Sequence, residues 1–74
     1  MHKNMAFDRR NLIAYLHENP HKVSHYAAEL RRIIADLQQE TFDSKDAQEK
    51  VVLASLELRA RLAIESWEKL QGAN

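Results

Sequence analysis

Cysteine is absent from this chain, and glycine and proline occur once each in 74 residues. Without cysteine there is no disulfide and no thiolate metal site. One glycine cannot make a glycine-rich phosphate loop, and it leaves few places for tight turns. An excess of charge is missing too, because eleven lysines and arginines balance eleven acidic residues. A duplex-binding domain normally carries a basic excess or a basic face, and the sequence shows neither. No apolar run nears the roughly 20 residues of a membrane span. The first ten residues, MHKNMAFDRR, lack the apolar centre of a secretory signal. The expectation is a cytoplasmic protein that does not associate with membranes. There is no β-alternation of useful length, no internal repeat and no low-complexity tract.

What the sequence does contain is helical periodicity, and the expected fold is all-α. It comprises a single small domain over residues 1–74, with a short first helix at about 9–18 and a long antiparallel hairpin of helices at about 20–40 and 44–71. Asp8 is the expected cap of the first helix, with Asn4 as a rival, and Phe7 and Leu12 stand at staple spacing. Leu12, Ile13 and Leu16 would face inward, with Tyr15 at the margin. Asn19-Pro20 ends this helix, because the residue before proline is pushed out of the α region. Asn19 can cap the second helix with Pro20 in its first turn; a later start capped by Ser24 is the alternative.

Val23, Tyr26, Ala27, Leu30, Ile33, Ile34 and Leu37 fall in one sector of the second helix, about 120° wide at 100° per residue. The segment Thr41 to Ser44 breaks the pattern, and Asp43 is the expected cap of the third helix, which Gly72 stops. Asp46–Lys50, Glu57–Arg61 and Glu65–Lys69 are acid-before-base pairs at i,i+4 that fit the helical phase.

The third helix carries two apolar stripes. Val52, Leu53, Leu56, Ala60, Ala63, Ile64, Trp67 and Leu70 form the main one, and Ala47, Val51, Ala54, Leu58 and Leu62 lie nearly opposite. A helix with two apolar sides needs packing partners on both. The second helix can cover one stripe. The first helix, if about 10 residues long, spans only about 15 Å and covers part of the other. The remainder implies self-association, most simply a symmetric dimer. A chain this small points the same way, since a core below roughly 70–80 residues rarely supplies more than about 3–5 kcal/mol without a staple.

One segment suggests chemistry. His17-Glu18-Asn19-Pro20-His21 spells H-E-x-x-H, the pattern by which a zinc metalloprotease holds its metal. That pattern needs both histidines on one face of a continuous helix, with the glutamate acting on metal-bound water. Pro20 lacks the N–H that would bond to Leu16, and its ring clashes with that carbonyl. The helix is therefore broken inside the motif, and no third ligand follows at a recognisable spacing. His17, His21 and His25, spaced by four, are the weaker metal candidates; the alternative is three solvent-facing histidines around a loop. Ser24 and His25 point about 100° apart on a helix and do not form a nucleophile–base pair.

No catalytic constellation and no cofactor site emerge. The expected function is that of a non-enzymatic helical regulator, adaptor, inhibitor or assembly chaperone that binds a larger protein. Val51, Leu58 and Leu62 are its candidate surface. The alternative is a dimeric nucleic-acid-binding regulator using Arg9, Arg10, Arg31 and Arg32. The arginines stand among carboxylates, which fits a mixed-charge surface better.

Overall fold

The computed structural model describes the backbone of residues 4–72 and the side chains of residues 9–72. Three helices pack against one another: α1 (Asn4–Glu18), α2 (Val23–Asp43) and α3 (Ala47–Gly72). A 3-10 turn, Pro20–Lys22, joins the first two. No strand occurs among the described residues. Arg9 of α1 pairs with Glu40 near the end of α2, so these helices run antiparallel. The Gln38 amide near the end of α2 donates to Glu57 in the first half of α3 at 3.0 Å. α3 therefore doubles back along α2 and lies parallel to α1. Most interhelical contact is made with α3, which serves as the central element.

The first helix starts at Asn4, earlier than the sequence suggests. Residues 4–8 contain no glycine or proline, so nothing interrupts the helix there. Asp8 lies inside α1, not ahead of it. The Phe7 and Asp8 side chains, and hence the expected staple, lie outside the described residues. Asn19 has the role least expected of it. It sits at φ −131°, ψ 66°, outside the α region, as the residue before proline should. Its side chain makes no N-cap bond to the following turn. Instead its backbone N–H and its amide Nδ2 both donate to the Tyr15 carbonyl at 2.9 Å, closing the end of α1.

The second helix does not break at Thr41. The Thr41 hydroxyl donates to the Leu37 carbonyl at 2.7 Å. The Gln39 amide donates to the Asp43 carboxylate at 3.1 and 3.2 Å. These local bonds carry α2 through to Asp43. The cap of α3 consequently moves from Asp43 to Asp46, whose Oδ1 accepts the Gln48 N–H at 3.0 Å. The Ser44 hydroxyl supports this entrance, accepting from Asp46 N at 3.2 Å and donating to Glu49 Oε1 at 2.6 Å.

The core is one cluster: Ile13 and Leu16 from α1, Val23, Leu30, Ile33, Ile34 and Leu37 from α2, and Leu53, Leu56, Ala60 and Ala63 from α3. Leu12, Ile64 and Trp67 pack against its edge. The two small residues of α3, Ala60 and Ala63, let neighbouring backbones approach closely where the three helices converge. No buried polar side-chain atom among the described residues lacks a hydrogen-bond partner. Arg9–Glu40 is bidentate, at 2.7 and 3.1 Å. The hydrogen bond to Glu40, and its charge, push the Arg9 pKa further above the usual arginine value. Both side chains are partly solvated, which limits what the pair contributes.

Leu30 is fully buried, so Leu30→Ala should destabilise by about 2–4 kcal/mol in chemical denaturation. Arg32→Ala, on the solvent side of the same helix, should change stability by less than about 0.5 kcal/mol. Similar losses at the two positions would mean that the buried face is wrongly assigned. For Arg9–Glu40, a double-mutant cycle with alanine should give a coupling below about 1 kcal/mol; a larger value would make the pair a principal clamp between α1 and α2.

Candidate interaction surface

The two stripes of α3 meet different fates. The centre of the main stripe is buried at Leu53, Leu56, Ala60 and Ala63, while Val52 and Leu70 at its margin stay about half exposed. Across the helix, Val51 is 68% exposed, Leu58 56% and Leu62 39%. Ala47 and Ala54, in the same stripe, are exposed as well. The expectation that α1 covers part of this second stripe is not met. Ile13 and Leu16 of α1 instead join the cluster built on the main stripe. Both neighbours of α3 pack on one side of it, because α1 and α2 are tied to each other by a short turn and by Arg9–Glu40.

Polar residues border the open stripe. Glu57 accepts from Arg61 at 2.8 Å, the one i,i+4 ion pair of the three expected that forms among the described residues. Lys50, Glu65 and Lys69 are exposed and make no ion pair with a described residue. Beyond the Val51 edge, a shallow open groove of about 300 Å³ runs between α1 and α3, lined by Arg10, Val51, Val52, Ser55, Leu56 and Arg59. A second groove, of about 360 Å³, lies between α2 and α3 and mixes charge: Arg31, Arg61, Glu65 and Glu68 surround Ile34 and Ile64.

The arginines raised as nucleic-acid contacts are spread across these features. Arg9 is held by Glu40, Arg10 lines the first groove, Arg31 lines the second, and Arg32 is exposed on α2. Phe42, at the end of α2, is 80% exposed, an apolar site outside the two α3 stripes. Its only sequence signal is an aromatic residue out of phase with the Leu30–Leu37 seam.

The H-E-x-x-H segment is divided between two elements: His17 and Glu18 end α1, and His21 lies in the 3-10 turn. His25, the third histidine of the spaced set, is in α2. All three histidines are exposed. The described residues contain no group of three histidine, aspartate or glutamate side chains placed to hold a metal ion. No described helix is long and apolar enough to cross a membrane.

No family model matches the chain. No curated protein matches it significantly in sequence, and no solved structure matches it significantly.

The divided motif can be tested on protein purified without a histidine tag. Metal analysis should find no stoichiometric zinc, and peptidase assays with added zinc should show no turnover. Tight one-to-one zinc with turnover abolished by Glu18→Gln would contradict this reading.

Proposed function

We propose that the chain acts without catalysis, as a small helical regulator, adaptor or assembly chaperone that engages protein through the open face of α3. The observation that carries this reading is the exposure of Val51, Leu58 and Leu62, aligned along the one side of α3 that neither α1 nor α2 covers. Each large apolar side chain left in water forgoes roughly 1.5–3 kcal/mol of burial. Singly exposed apolar residues are ordinary; aligned ones on a long, straight scaffold mark a contact site. A helix face with an apolar stripe and charged borders suits another helix laid along it. The mixed placement of arginines and carboxylates favours a protein partner over a phosphate backbone, which needs a positive track.

Leu58→Glu puts a charge in the middle of the stripe without touching the core. It should leave helical content intact by circular dichroism, with stability within about 0.5 kcal/mol of wild type at concentrations where the wild type is monomeric. It should abolish a protein contact that Arg32→Ala retains. If Leu58→Glu unfolds the chain, the stripe is structural. If the wild type instead recovers RNA or DNA in a salt-sensitive manner, the dimeric nucleic-acid-binding alternative replaces the present reading.

A further inference from the structure

We infer that the open face of α3 takes a second copy of this chain, antiparallel, with the two-fold axis passing close to Leu58. This rests on the reading of that face as a contact site and adds the occupant and its register. Ala47, Val51, Ala54, Leu58 and Leu62 stay exposed along about 22 Å of α3, a stretch long enough for a second helix to lie along it.

An antiparallel pairing centred on Leu58 sets Leu58 against its own copy and Leu62 against Ala54 of the second copy, twice, so large meets small there. Glu65 falls opposite Val51 of the second copy, beside that copy's Lys50. Lys50 lies eight residues before Leu58 and Glu65 seven after it. At 1.5 Å per residue, each Lys50 arrives within about 2 Å, along the helix axis, of the second copy's Glu65. Both side chains are exposed and make no ion pair with a described residue. At the ends, the aliphatic stem of Lys69 covers Ala47 of the second copy while its ammonium stays in water. The parallel alternative sets Glu65 beside Glu65 and Lys69 beside Lys69 in the contact. It also aligns the two helix dipoles, which antiparallel packing opposes.

Because the chain has no cysteine, each introduced thiol is unique. Ala47→Cys and Lys69→Cys leave Lys50, Glu65 and the large apolar side chains intact. Mixed together with a short bismaleimide, the two variants should cross-link to each other, and neither should cross-link to itself. In the antiparallel pair, identical positions at either end lie about 33 Å apart. Self-linking of Ala47→Cys would show a parallel pair and overturn the inference.

The charge pairs give an independent test. Lys50→Glu should weaken dimerisation by about tenfold at low salt, and Lys50→Glu with Glu65→Lys in the same chain should restore it. Weakening without rescue would contradict the register. A wild type that remains monomeric to millimolar concentration would also overturn the inference. The broader reading would then still be decided by whether Leu58→Glu blocks a different protein.

Discussion

The contact on which the structure depends is the packing of α1 and α2 against one side of α3. Leu53, Leu56, Ala60 and Ala63 are the buried residues that α3 contributes among those described, and the side chains of both other helices converge on them. With no disulfide available, this cluster and the close approach permitted by the two alanines hold three helices in register. Short links set the geometry around it. Pro20 and the two hydrogen bonds of Asn19 to the Tyr15 carbonyl turn the chain sharply after α1. Arg9–Glu40 then ties the far end of α1 to α2. The consequence is a one-sided α3, buried along one stripe and open along the other.

That one-sidedness connects the size of the protein to its proposed role. The radius of gyration is 12.9 Å and the extents are 44 × 28 × 18 Å, larger than the roughly 11 Å radius usual for a compact chain of this length. The elongation follows from α3, whose 26 residues extend about 39 Å. An elongated small protein has a thin core and a large surface. A second helix laid on the open stripe both covers apolar side chains and thickens the packed layer. Association and stability are then coupled, so apparent stability should rise with protein concentration.

Periodicity made much of this legible. The spacing of Val23, Leu30 and Leu37 placed the buried face of α2, and the double stripe of α3 was visible because Val51, Leu58 and Leu62 fall opposite Leu53, Leu56 and Ala60. The helix ends were less legible, for local reasons. Asp43 and Asp46 are both credible caps in sequence. Hydrogen bonds from Thr41 to Leu37 and from Gln39 to Asp43 decide between them by carrying α2 further. Asn19 suits either end of a helix, and only the backbone conformation before Pro20 assigns it to α1. The Arg9–Glu40 pair spans 31 residues and leaves no periodic trace. The side of α3 on which α1 docks was not legible either, since both stripes are apolar. It is fixed by the tight turn and by which stripe α2 already occupies.

In the proposed reading, α3 has one face for its own chain and one for another. Methyl NMR over a dilution series tests it most directly. Val51, Leu58 and Leu62 should shift with concentration and show intermolecular contacts, while Val23, Leu30 and Leu37, fully buried within the chain, should stay fixed. Concentration-independent signals from Leu58 and Leu62, with contacts to α1 of the same molecule, would contradict it.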